Sequence, residues 1–483
     1  MRVNPPLVYS GSFWLPGTPD RKLPGTLTIE DGGSATLEVV GRLDDGHPFN
    51  APRDYPRILG EVIQHGFVTL EKSFLTSSGH HGSGAPYKNK VQPSLAVIGC
   101  AYDKDEVVLF DELRFSFEGL DEFLGISGFK LNWLTSADPV LKLEYTPQKS
   151  RELWRNDDFS LHCEFDFSAP TTSFKSAEVI QSAFLRLRST KPVPLSHLTK
   201  WVHELGHLVA FAVDANIALH SVTAYSTAIR REEGTKWEKM VPLPLYYASL
   251  TFAPTVPDLR EIDRLFKLAD LPVSSQSAFD AWFRFHAANA VAANLYFTTR
   301  KTKFEYLNIQ FVLMAQAAEV YHRNASPEKL MSTGDFERLK RQMLEAIPEP
   351  HRKMADEKLA HGHHLNLSHR LERLMAPYED FFGDATTRDA TIKSIVGTRN
   401  HYIHWGNPAT RDRFGGLNLW TNLMRLDMLM QMQLLKELGF SIESVIRILE
   451  SNPTFQRQRH LLKPTVVALG TTSSPPASEE GED

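Results

Sequence analysis

Apolar and polar positions alternate through the first third of the chain. Leu113-Arg114-Phe115-Ser116-Phe117-Glu118 and Leu161-His162-Cys163-Glu164-Phe165-Asp166-Phe167 place a hydrophobic side chain at every second residue, the period of a half-buried strand. Gly and Pro punctuate such runs at short intervals, so residues up to about Pro170 predict a sandwich or barrel-like β domain. Ser77–Lys90 breaks the pattern. It contains Gly79-His80-His81-Gly82-Ser83-Gly84 and predicts a mobile loop, either a solvated connection or a ligand-sensing one.

The period then changes. Between Ser196 and Asn216, Leu198, Trp201, Leu205, Leu208 and Ala212 recur at helical spacing, with Ser196 as the expected N-cap. Ile217–Ile229 and Val241–Phe252 read as extended, joined by a turn-like Arg231–Thr235, and Pro254, Pro257 and Pro272 mark a change of composition. Beyond Ser274 nearly everything reads as helix. Phe304, Leu307, Phe311, Met314, Ala318 and Tyr321 form one core face. Further helices are expected near Asp335–Ala346, Ser368–Phe382, Thr387–His404 and Leu417–Leu438, which together make a bundle of four to six helices. The expected fold class is α+β: a β-rich region 1–170, a mixed α/β continuation 171–272, a helical domain 273–469, and a Ser-, Pro- and acid-rich disordered tail 470–483.

Composition narrows the choices. A chain of 483 residues exceeds a single core. Its net charge of −5 lacks the basic excess of a general nucleic-acid coat, while leaving room for a local basic site. Cys100 and Cys163 are the only cysteines, which excludes a disulfide framework and a Cys-based zinc finger. The longest apolar run, Leu208–Val213, is too short to span a bilayer, and Pro5-Pro6 stand where a secretory signal needs an apolar core. The expected compartment is the cytoplasm, with no membrane partner.

Two motifs carry chemistry. Arg399-Asn400-His401-Tyr402-Ile403-His404 ends a predicted helix that stops at Trp405-Gly406-Asn407-Pro408. An arginine keeps its charge and clamps phosphate, and a histidine moves a proton near neutral pH; these two side chains suffice to cut RNA without a metal. In a helix Asn400 and His404 stand one turn apart, with Arg399 one step around. The plain alternative is a surface helix end. The second motif, His203-Glu204-Leu205-Gly206-His207, is a literal zinc-peptidase His-Glu-x-x-His on a predicted helix. Ala210 and Val213 stand where a metzincin continues with Gly and His, and the nearest downstream acids, Glu232 and Glu233, fall in a predicted turn. The two histidines also lie opposite the apolar stripe, where a solvated polar face is expected. No metal is therefore assigned, and His203, Glu204 and His207 are treated as a decoy. His361-Gly362-His363-His364 reads as a surface loop.

The Arg-Asn-x-x-x-His segment resembles the signature of HEPN ribonucleases, most closely the HEPN domain of the ApeA family of bacterial anti-phage proteins. The front of the chain is similar to the opening of the ApeA N-terminal domain at Gly11-Ser12-Phe13-Trp14-Leu15-Pro16, Pro24-Gly25-Thr26-Leu27-Thr28-Ile29, Leu37-Glu38-Val39-Val40-Gly41, Ile58-Leu59-Gly60 and Val68-Thr69-Leu70. The resemblance implies an abortive-infection endoribonuclease that uses the 2′-hydroxyl of its RNA as nucleophile, with no cofactor. Arg399 and His404 would be catalytic. Asn400 and Glu319 would support them, their alternatives being a helix-terminal amide and the solvent border of a helix. It further implies a homodimer through the helical domain, an RNA substrate such as tRNA or another translation RNA, an N-terminal sensor, and a phage-derived trigger. Competing classes are a zinc metallopeptidase on His203, Glu204 and His207, and a non-catalytic HEPN domain that binds nucleotide or a partner.

Overall fold

The computed structural model describes residues 1–44, 53–80, 87–134, 140–168, 175, 178–233, 237–301, 306–403 and 415–462. Two compact units are present: Met1–Ala287 with Leu435–Asn452, and Ala288–Leu434 with the chain from Pro453 on.

The first unit is built on β1 (Leu7–Trp14), β2 (Leu23–Ile29), β3 (Ala35–Val40), β4 (Asp54–Val62), β5 (Gly66–His80), β6 (Tyr87–Ile98) and β7 (Leu109–Phe117). A short α1 (Leu120–Leu124) follows, then β8 (Phe129–Leu134), β9 (Val140–Tyr145), β10 (Arg151–Arg155), β11 (Phe159–Ser168) and β12 (Ile180–Pro194). Next come α2 (Leu195–Ala212), β13 (Leu219–Tyr225), β14 (Arg230–Glu233), β15 (Trp237–Met240) and β16 (Leu243–Tyr246). Among the described residues one antiparallel sheet runs β10-β11-β12-β7-β13-β16-β6-β3-β2-β1-β4-β5, and β5 also pairs with β6. That extra pairing closes β6-β3-β2-β1-β4-β5 into a six-stranded barrel, which removes its edges. Phe13, Leu27, Leu37, Ile58, Val68 and Leu70 are completely buried. Gly60 pairs with Phe13 on one side and Val68 on the other. A Cβ there would lie 2.5 Å from the Phe13 ring and 2.7 Å from a Val68 methyl, so only glycine lets the aromatic ring fill so narrow a barrel.

The Ser77–Lys90 loop expectation is corrected. Ser77, Ser78, Gly79 and His80 pair with Lys90, Asn89, Lys88 and Tyr87, while 81–86 lie outside the described residues. Ladder pairing satisfies the backbone of a Ser- and Gly-rich segment whose own propensity disfavours strand. The N-cap expectation is corrected as well: α2 starts at Leu195 after Pro194, and Ser196 sits inside its first turn. Strands from both sides of residue 170 lie in one sheet, since β11 pairs with β12 along its whole length.

The boundary between the units falls inside α3 (Ser275–Lys301), two residues before Asn289, whose backbone leaves the helical region at φ −125° and ψ 29°. The second unit continues with α4 (Leu307–Ala325), α5 (Thr333–Ala346), α6 (Glu349–Leu359), α7 (Leu367–Met375), α8 (Glu379–Phe382), α9 (Ala385–Ile403) and α10 (Gly416–Glu437). After α11 (Ile442–Ser451), which belongs to the first unit, it ends with α12 (Pro453–Leu462). Phe311, Met314, Ala318 and Tyr321 of α4 are buried as their spacing predicts; Phe304 lies outside the described residues. α4, α7 and α9 pack against one another, and Leu371 and Leu374 of α7 and Ile392 and Ile395 of α9 are buried as well. The α+β class of the sequence reading is the observed one. Among the described residues no helix is long and apolar enough to cross a membrane.

Candidate functional site

The carboxyl-terminal end of α9 is fixed by a polar network with α10. Asn422 is 1 % exposed. Its Nδ2 donates to Ser394 Oγ at 3.0 Å and Thr398 Oγ1 at 3.1 Å, and its Oδ1 accepts from Arg425 Nη1 at 3.3 Å. Burial lowers the Arg425 pKa to about 10, so the guanidinium stays charged at neutral pH. Thr398 Oγ1 in turn donates to the Ser394 carbonyl at 2.7 Å. Every hydroxyl and amide in this contact is spoken for, as a buried polar cluster requires.

Arg399 follows directly. Its guanidinium is partly exposed and lies 4.0 Å from the Glu319 carboxylate of α4. Nη1 donates to Asn400 Oδ1 at 3.3 Å, so Asn400 turns toward the arginine next to it. Glu319 also takes a hydrogen bond from Arg323 Nη2 at 2.7 Å. Arg370 of α7 is 3 % exposed, and its Nη1 lies 3.2 Å from His322 Nδ1. An arginine can only donate, so His322 Nδ1 accepts and that imidazole is neutral. Burial first, and the Arg370 charge second, hold the His322 pKa below its ordinary value. Burial and then Arg323 lower the Arg370 pKa, while Glu319 opposes them. Two guanidiniums, those of Arg323 and Arg399, thus lie within 4.0 Å of the Glu319 carboxylate, the Arg370 charge also acts on it, and the cluster keeps a positive excess.

Of the residues singled out from sequence, the fold brings Arg399, Asn400 and Glu319 together. His404 lies outside the described residues, one position beyond the last residue of α9. Sequence reasoning missed Arg370, His322, Asn422 and Arg425. The available signal was polar residues inside apolar helix faces, such as Asn422 and Arg425 among Leu419, Leu423 and Leu426.

The His-Glu-x-x-His face is not solvated, which corrects the expectation. Glu204 and His207 are only 7 % and 9 % exposed. The His203 and His207 rings are 4.2 Å apart, and His207 stacks on His286 at 5.3 Å and 26°. The reason is that α2 packs against β7 and β12 on one side while α3 covers another, with Trp282 Nε1 donating to the Glu204 carbonyl at 2.8 Å. Gly206 permits the approach, since a Cβ there would meet Thr251 at 2.7 Å and Phe117 at 3.1 Å. Among the described residues no group of three His, Cys, Asp or Glu is placed to hold a metal. His363 is also buried, against Phe336 at 4.8 Å, so the His361–His364 loop is not wholly surface.

Comparison with known proteins identifies two regions of the chain. Residues 312–444, from within α4 to the start of α11, match the Apea-like HEPN family, so the helical region is a HEPN domain. Residues 8–282 match ApeA N-terminal domain 1. These matches cover more than half of the chain in the expected order, and the protein belongs to the ApeA family of anti-phage HEPN nucleases. No curated protein and no solved structure matches it.

Proposed function

We propose that this protein is a metal-independent endoribonuclease that halts phage infection by cutting host RNA, with Arg399 and His404 as its catalytic pair. The observation that carries the reading is Arg399 itself. It is a partly exposed cation at a helix end, one residue from the buried network that fixes that end, with the Glu319 carboxylate 4.0 Å away. Among the described residues only Asn400 accepts a hydrogen bond from it. Its remaining N–H groups suit a phosphodiester.

In the proposed reaction the RNA 2′-oxygen attacks the adjacent phosphorus as an imidazole removes its proton. Arg399 stabilises the charge that grows on the non-bridging oxygens, the contribution that usually dominates. The bond from phosphorus to the 5′-oxygen breaks, and that oxygen takes a proton as it leaves. The products are a 2′,3′-cyclic phosphate and a 5′-hydroxyl. One imidazole cannot serve both ends of an in-line displacement, so the reading requires a homodimer in which two Arg399/His404 sets share one cleft. Asn400 and Glu319 orient Arg399. The β-rich first unit acts as the sensor that restrains the nuclease until a phage-derived trigger appears. The compartment is the cytoplasm and the substrate a translation RNA such as tRNA.

The test is incubation of total cellular RNA with wild-type protein, Arg399→Ala and His404→Ala in EDTA, using protein purified from uninfected and phage-infected cells. Cleavage by the wild type only, leaving 5′-hydroxyl ends, is expected. Protection against phage that survives both substitutions would instead favour a non-catalytic HEPN domain.

A further inference from the structure

Between α2 and the β5–β6 pair, the first unit holds a cavity of about 550 Å³, bounded elsewhere by Val108 and Tyr247–Thr251. That volume suits a small molecule. Leu95, Val108, Val202 and Leu250 give it apolar walls. Its charged lining is of one effective sign. Lys72, Lys200 and Glu71 line it, and the Glu71 carboxylate is already bound by the Arg57 guanidinium. Lys200 has Glu204 at 3.9 Å. Desolvation lifts that carboxyl to about 7, so at neutral pH it offsets the ammonium only in part.

Lys72 is placed at this wall by an unfavourable backbone. Its φ of +48° lies in the left-handed region that a lysine seldom adopts. The sheet keeps its register around it: Arg57 pairs with Glu71 and Tyr55 with Ser73 in β4, while Glu71 pairs with Leu95 and Ser73 with Pro93 in β6. Ser94 Oγ donates to the Lys72 carbonyl at 2.9 Å and holds the kink. Lys72 alone drops out of both ladders while its neighbours keep register, and this kinked residue lines the hollow.

We propose that this cavity binds a small organic anion with an apolar body, the acid group held by Lys72 and Lys200 and the body by Leu95, Val108, Val202 and Leu250. The site shares no residue with the Arg399 cluster, and its test does not depend on whether the chain cleaves RNA.

The full chain is titrated with 8-anilinonaphthalene-1-sulfonate and, in parallel, with uncharged N-phenyl-1-naphthylamine, which has the same aromatic body without the acid. Saturable one-to-one binding of the sulfonate is expected. It weakens about tenfold in the double variant Lys72→Met, Lys200→Met and about threefold in Lys200→Met alone, while binding of the uncharged probe stays as in the wild type and so shows that the cavity is intact. Leu250→Asp weakens both probes. Absence of saturable sulfonate binding to the wild type, or equal binding by wild type and Lys200→Met, would overturn the proposal.

Discussion

Asn422→Ala tests whether the α9–α10 network holds the candidate site. The side chain is completely enclosed and hydrogen-bonds three residues: it donates to Ser394 and Thr398, and its oxygen accepts from Arg425, with the Ser394 hydroxyl a second, longer donor at 3.4 Å. Each neutral bond contributes about 1 kcal/mol and the charged one about 1.5 kcal/mol. The expected loss is therefore roughly 3 to 4 kcal/mol. For a helical unit of this size that corresponds to a melting temperature lower by about 8–12 °C. Asn422→Asp separates the contributions, because an ionised carboxylate still faces Arg425 but cannot donate to the two hydroxyls; about half of the loss is expected. Urea titration followed by circular dichroism gives the free energies, and calorimetry gives the melting shift. Thr398 directly precedes Arg399, so nuclease activity should fall in Asn422→Ala even at temperatures where the protein remains folded. A variant within about 1 kcal/mol of wild type, with unchanged activity, would refute the reasoning.

Two further predictions concern the first unit. Gly60→Ala forces a methyl to within 2.7 Å of Phe13 and Val68 and should destabilise the barrel by about 2 kcal/mol or more, read as a lower urea midpoint. Glu204 has a folded pKa of about 7 against an ordinary 4.5, so the native state holds its proton more tightly than the unfolded chain. The stability it contributes is complete below pH 4.5 and is lost as pH rises through about 7. Glu204→Gln should therefore be more stable than wild type by about 2 kcal/mol at pH 8, after allowance for solvent screening, and should show no gain at pH 4.5. Paired urea titrations at the two pH values check this.

The patterns that could be read from the chain were those set by local periodicity. The alternation in β7 and β11 and the 3.6-residue stripe of α4 each follow from which face is buried, and that information is carried residue by residue. Barrel closure was not legible, because it depends on β1 pairing with β4 and β3 pairing with β6, strands that are far apart in the chain. Ser77–His80 became strand through its local ladder with Tyr87–Lys90, which the Gly- and Ser-rich composition concealed. The His203/His207 face was misjudged for a related reason: one helix shows which side is most apolar, but only the neighbouring α3 and the sheet decide whether its polar side is covered as well. At the candidate site the motif named Arg399 and Asn400 and the family resemblance added Glu319, while Arg370 and His322, and the Asn422–Arg425 pair that holds the end of α9, lie on other helices where nothing in a single sequence connects them to the motif.

The central claim is that the guanidinium of Arg399 and the imidazole of His404 together cut a phosphodiester. It is tested most directly by sequencing 5′-hydroxyl RNA ends from phage-infected cells carrying wild type, Arg399→Ala or His404→Ala. Discrete new 5′-hydroxyl ends are expected with the wild type and in neither variant, at equal protein levels. The same ends at the same positions in cells with His404→Ala would contradict the account.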